Sequence, residues 1–187
     1  MRLETGPLNH IGKFFQNVYH HAPSKDTTTP DVRPTVSSLV FVLNGSNLDM
    51  LGKREPHLYG TTTLEEVKAR TQSLARELDL ECDFRQTNHE GVLIDWLHEA
   101  FEKNAAVVLN PAGFSFGSIP VLDAVKLIRQ PLIEVHITNI HKREPQYRHS
   151  LISLAATGVI CGLGVGSYLL ALRAVADALA HAPATAP

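Results

Sequence analysis

Residues 105–137 read AAVVLNPAGFSFGSIPVLDAVKLIRQPLIEVHI. The run from Ala105 to Leu109 is short, apolar and ends at Asn110, as a strand buried on both faces does. The stretch from Ser118 to Arg129 holds a short helix, and Leu132 to Ile137 is a second buried strand. Two apolar strands joined across a helix form a parallel crossover, and the same alternation extends in both directions. Upstream, Leu39 to Leu43 is a first strand. Thr63 and Glu66 then make a capping-box signature ahead of Leu64, Val67, Thr71, Leu74 and Leu78 at helical spacing. Glu81 to Gln86 alternates as a strand, and Gly91 to Glu102 carries helical periodicity. Downstream, Gly158 to Cys161 is a fifth strand and Ser167 to Leu179 an Ala/Leu-rich helix. Strands alternating with helices predict an α/β domain, a doubly wound, five-stranded parallel sheet of the flavodoxin-like kind with helices on both faces.

The chain has 187 residues, 44% of them hydrophobic and 19% charged, which suits one core. The expected division is a tail at 1–36, disordered or peripheral, a domain at 37–181 and a frayed end at 182–187. Within the tail, Ile11, Phe14, Phe15 and Val18 have the spacing of one amphipathic helix. Seventeen Lys and Arg against nineteen Asp and Glu leave a net charge of -2, so no positive field is available for a phosphate backbone, and nucleic acid is excluded as the main partner. Cys82 and Cys161 each sit in an apolar run and read as buried reduced thiols. No run is long enough for a membrane span, and the start lacks the order of a secretory signal. A soluble, cytoplasmic protein with no membrane partner is expected.

In a doubly wound sheet, ligands bind outside the carboxyl ends of the strands. Asn44 and Asn47 follow the first strand, Asn110 ends the third, and Glu134, His136 and Asn139 lie at the end of the fourth. Glu134 and His136 are two apart on a strand, so both side chains leave the same face. A carboxylate there fixes the imidazole tautomer and favours its protonated form, which makes a general acid. The segment from Asn44 to Gly60, NGSNLDMLGKREPHLYG, is too long and polar for a simple connection and reads as a lid. It supplies Arg54 and Tyr59, a guanidinium beside a phenol, which together can act as a base on a carbon acid. The Gly run GLGVGSY at 162–168 follows the last strand instead of the first, so close packing explains it better than phosphate binding. The ten His residues form no tight ligand spacing with carboxylates, so no metal is expected.

Taken in order, LNGSNLDMLGKREPHLYG (43–60), FRQTNHEGVLIDWLHEAF (84–101), the Asn110-Pro111 turn, IEVHITNIHKRE (133–144) and GVICGLGVGSYLLAL (158–172) resemble the type II 3-dehydroquinate dehydratases. The resemblance runs from about Ser38 to Ala180. It implies a flavodoxin-like subunit built into trimers and then a dodecamer, with no metal or organic cofactor. It also implies a hydro-lyase acting on a small-molecule substrate, 3-dehydroquinate, with loss of water to 3-dehydroshikimate in shikimate synthesis or quinate breakdown. On this sequence it makes Tyr59 the base, Arg54 the group that eases its ionisation, and Asn47 the holder of a water on the enolate. His136, oriented by Glu134, becomes the acid. Asn110 and the backbone amides of Ile137 and Thr138 hold the substrate carboxylate, and Arg143 and Asp123 count as substrate contacts.

Departures from the family pattern sit on the ring-hydroxyl side. Phe116 stands where the family has His, Tyr147 where it has Arg, Leu122 where it has another Arg beside the retained Asp123, and Ser46 where it has Pro. Arg148, next to Tyr147, could substitute after a small shift. A phenyl ring donates no hydrogen bond, so a lyase for a related hydroxy-keto acid with fewer ring hydroxyls is the alternative. A non-catalytic assembly or binding homologue is a third reading, and the joint presence of Tyr59, Arg54, Glu134 and His136 argues against it.

Overall fold

A computed structural model describes residues 39–54 and 60–181. The expected tail at 1–36, its amphipathic helix, Tyr59 and the end at 182–187 lie outside the described residues. Among those described, five strands alternate with four α-helices: β1 (Leu39–Asn44), α1 (Leu64–Glu77), β2 (Glu81–Gln86), α2 (Glu90–Glu102), β3 (Ala106–Asn110), α3 (Ile119–Val125), β4 (Leu132–His136), β5 (Gly158–Cys161) and α4 (Gly166–Ala180). The sheet is parallel throughout, in the order β2-β1-β3-β4-β5. That is the flavodoxin-like order, with its reversal point between β1 and β3.

Strand alternation divides the core in two. Val40 and Val42 of β1, Val108 of β3 and Val135 of β4 face one side with Val67, Leu74, Tyr168 and Leu172. Phe41 and Leu43, Val107 and Leu109, and Leu132 face the other with Leu93, Leu97, Val121 and Leu122. Every residue of β3 and β4 is buried, whereas β2 and β5, at the edges, are only partly covered. Each fully buried Leu or Val contributes roughly 1.5–3 kcal/mol, so this two-sided filling is the main stabilising term. The α1 start forms as expected: Glu66 N donates to Thr63 Oγ1 at 3.3 Å and Thr63 N to the Glu66 carboxylate at 2.7 Å. A cap of this kind is worth about 1 kcal/mol.

The short helix expected within 118–129 is present, at Ile119–Val125. Beyond it the chain tightens into turns, Leu127 N to the Ala124 carbonyl and Ile128 N to that of Val125, because it must reverse before Pro131 and enter β4. Several expectations need correction. β4 ends at His136, not Ile137. Both cysteines are free but half-buried, since they lie on the two edge strands. In the Gly run the packing expectation holds at Gly162, with φ +87 and a Cβ that would come within 2.8 Å of the Asn139 Cβ, but not at Gly164 and Gly166, where a Cβ would meet nothing within 4 Å. Gly45 answers a closer approach still, where a Cβ would meet the Pro111 carbonyl oxygen at 2.1 Å.

Candidate active site at the carboxyl edge of the sheet

A cleft of about 230 Å³ opens where β1, β3 and β4 end. Asn47, Arg54, Asn110, Phe116, His136, Ile137, Thr138, Arg143 and Tyr147 all line it, as does Ser46. The strands bring them together because parallel strands in register end at one level: Asn44 is level with Asn110, and Leu109 with Glu134.

At the β4 end, His136 is buried and its Nε2 lies 2.7 Å from Glu134 Oε1. The same face of the strand carries both, as the spacing requires, and Nδ1 remains the ring nitrogen available to the cleft. Glu134 is completely buried. Burial pushes its carboxyl up, but the hydrogen bonds from His136, Ser150 and Ser153 prevail and hold it below the usual carboxylate range.

A second, neutral network underlies Asn110. The Tyr168 hydroxyl accepts from Asn110 Nδ2 and donates to Asn44 Oδ1, each at 2.7 Å, and Asn44 Nδ2 donates to the Arg85 carbonyl at 2.9 Å. Asn110 Oδ1 in turn takes the Ala112 N–H at 3.3 Å. Ala112 itself has φ 52, a left-handed conformation that costs a non-Gly residue about 1–2 kcal/mol.

The first half of the expected lid is anchored. Leu48 and Leu51 bury themselves in the core, and the Asn47 N–H donates to Asn88 Oδ1 at 2.7 Å while Asn47 sits at φ 64.

The wall beside His136 is aromatic. Phe116 stacks on His136 with centroids 6.3 Å apart and meets Tyr147 edge-on at 5.3 Å, and the Arg143 guanidinium lies 4.7 Å above the Tyr147 ring.

These residues fall within a stretch that matches a known family. Residues 38–176 match the family described as dehydroquinase class II. The chain belongs to the class II dehydroquinases. A 3-dehydroquinate dehydratase of Brucella canis is 51% identical over 141 residues, 75% of this chain and 90% of that protein. The type II dehydroquinase of Propionibacterium acnes superposes with a TM-score of 0.74 at 44% identity, covering 76% of this chain and 98% of that one. A 3-dehydroquinate dehydratase-like protein of Bifidobacterium longum superposes with a TM-score of 0.58 at 32% identity, over 76% and 98% of the two chains.

As a class II dehydroquinase, the chain departs from sequence expectation at two charged residues. Asp123 does not line the cleft. It lies on the solvent side of α3, paired with Lys126 at 3.1 Å, because Val121, Leu122, Ala124 and Val125 take the buried side. Arg148 does not line the cleft either, and its Nε donates to the Arg143 carbonyl at 2.6 Å. Sequence reasoning missed Ser150, Ser153, Tyr168 and Asn88, all of which hold site residues in place. Their partners are 16 to 124 positions away, so only Tyr168, an aromatic with a polar tip in an Ala/Leu-rich helix, carried any signal. Among the described residues, no three His, Cys, Asp or Glu side chains converge as metal ligands, and no helix is long and apolar enough to cross a membrane.

Proposed function

We propose that this cleft removes water from 3-dehydroquinate by proton transfers among protein side chains, with His136 as the general acid. The observation that carries the reading is the buried His136–Glu134 pair, 2.7 Å apart, at the end of a cleft that also holds Asn47, Arg54 and Asn110. A β-hydroxy ketone loses water when a base takes the proton next to the carbonyl, the enolate is stabilised, and an acid protonates the leaving hydroxyl. Tyr59, five residues beyond the cleft-lining Arg54, supplies the base, and the guanidinium favours its phenolate. Asn47 holds a water against the enolate oxygen. His136 gives its proton to the departing hydroxyl, and Glu134 compensates the charge on the ring while it waits. Asn110, with the amides of Ile137 and Thr138, binds the substrate carboxylate, and Arg143 adds a cation to the same cleft. No metal or organic cofactor enters these steps.

The subunit works in the cytoplasm as a dodecamer built of trimers, serving shikimate synthesis or quinate breakdown. Exposed apolar side chains on and beside the β5 edge, Val159, Leu163 and Leu170, together with Ile119 and Leu154, support assembly. Asp123, on the outer side of α3, then meets substrate only across a subunit boundary. Light scattering that returned a single 20.5 kDa chain would remove this assembly.

The deciding assay follows the conjugated enone product by absorbance after purified protein is mixed with 3-dehydroquinate. A rate no better than buffer would overturn the reading. A second reading, a lyase for a hydroxy-keto acid with fewer ring hydroxyls, is favoured by one observation: Phe116 and Tyr147 set an aromatic wall beside the acid. It predicts turnover of a deoxy analogue at or above that of 3-dehydroquinate.

A further inference from the structure

The carboxylate behind His136 is not held by the histidine alone. Ser150 Oγ donates to Glu134 Oε1, the oxygen that also takes His136 Nε2, and Ser153 Oγ donates to Oε2. Both oxygens of a completely buried carboxylate are therefore satisfied by hydroxyls brought from the connection between the cleft rim and β5. Neither serine lines the cleft. The Ser150 oxygen also accepts the Ile152 N–H at 3.2 Å, and its proton stays available to an ionised Glu134, which can only accept. The segment is pinned between the two serines: Ile152 is fully buried, and the Leu151 N–H donates to the Ser115 carbonyl at 2.9 Å. Ser115 adjoins Phe116, so this anchor also ties the serines to the aromatic wall.

We propose that Ser150 and Ser153 are positioning residues that keep Glu134 ionised and thereby keep His136 oriented as the acid. The inference rests on the reading of His136 given above. A buried Glu–His pair with one proton between them can lie in two forms, imidazolium with carboxylate or imidazole with carboxylic acid. A low-polarity surrounding favours the second. Hydroxyl donors to both oxygens stabilise the carboxylate more than the acid and so favour the first. The remaining surroundings give no such help. Glu134 is level with Leu109 on β3 and Val159 on β5, and α3 turns Val121, Leu122 and Val125 inward while Asp123 and Lys126 pair outside. Arg54, Arg143 and Tyr147 line the cleft on the His136 side, and Arg148 and His149, flanking Ser150, are exposed. The lowered Glu134 ionisation, to which both serines contribute, agrees with this selection.

The test is Ser153→Ala, Ser150→Ala and the double variant, each measured for kcat, KM and pH dependence, with infrared spectra of the Glu134 carboxyl in the free protein. Expected is a fall in kcat of roughly tenfold in the double variant with KM within about twofold, as when a group outside the substrate's contacts is lost. The acid limb of the rate profile and the infrared titration of Glu134 should both move up by about one pH unit or more. Ser153→Thr keeps the hydroxyl and should behave as the parent. Ser150→Ala also deletes the bond to Ile152, and if it unfolds the chain, Ser153→Ala decides alone, since among the described residues the Ser153 hydroxyl is hydrogen-bonded only to Glu134. An unmoved Glu134 titration in Ser153→Ala would overturn the proposal, even if stability fell. The two readings separate cleanly: His136→Ala at near-full turnover would sink the acid assignment, while the infrared titration would still report on the serines.

Discussion

Two buried polar networks meet at the cleft, and they are built on different principles. The one under Asn110 is neutral, made of two amides and a phenol, and spans β1, β3 and α4. The one under His136 is ionisable, made of a carboxylate, an imidazole and two hydroxyls, and joins β4 to the connection ahead of β5. Burial pushes the ionisable group of each network the same way, upward, but the outcomes differ. It pushes the Tyr168 phenol well above its ordinary range, so that network keeps one protonation state at any pH the fold survives. Burial also works against the Glu134 carboxylate, and three donors outweigh it. The first network therefore keeps its protons and the second is the one whose state can change with pH; in the proposed function they serve as the template for the substrate carboxylate and as the proton-handling device.

The largest effect should come from removing the proton donor. His136→Ala is expected to lower kcat by about 10²- to 10⁴-fold with a smaller change in KM, read by steady-state kinetics. Near-full activity would make the ionisable network structural, and the contrast would collapse. Next comes Tyr168→Phe, which leaves buried polar atoms of Asn44 and Asn110 without their partner. A loss of about 2–4 kcal/mol in denaturant unfolding is expected, together with a raised KM and an unshifted pH profile. A shifted profile would mean that the two networks are coupled.

The pH dependence of stability sharpens the same distinction. Glu134 ionises below its ordinary value in the folded protein, so its contribution is fully present above the ordinary value near 4.5 and is lost as pH falls through the lowered folded value. Denaturation of the parent and Glu134→Gln across pH should show a stability gap that is constant at neutral pH and narrows below about 4.5. A gap that widened toward acid would reverse the sign assigned to the pair. The smallest effect is expected at the aromatic wall. Phe116→His should lower KM for 3-dehydroquinate by about tenfold through one restored hydrogen bond. A KM unchanged or raised would favour the substrate with fewer hydroxyls.

The α/β class, the order of elements and one edge of the site were legible along the chain, since period-two and period-3.6 patterns and a two-residue spacing on a strand are local geometry. The Glu134–His136 contact needed nothing more than that spacing. What folding alone decided depends on where distant segments meet. Asp123 was legible as an acidic residue but not as one turned to solvent, which the burial of its neighbours on α3 settles. Arg148 was a candidate by adjacency, and its bond to the Arg143 carbonyl removes it from the cleft. Ser150 and Ser153 carry no local mark at all. A hydroxyl becomes a partner of a buried carboxylate only when the connection before β5 is laid across the end of β4. Sequence determined which groups the sheet edge would carry; tertiary structure determined how each is held, because hydrogen bonds across many residues are set by packing and not by neighbours in the chain.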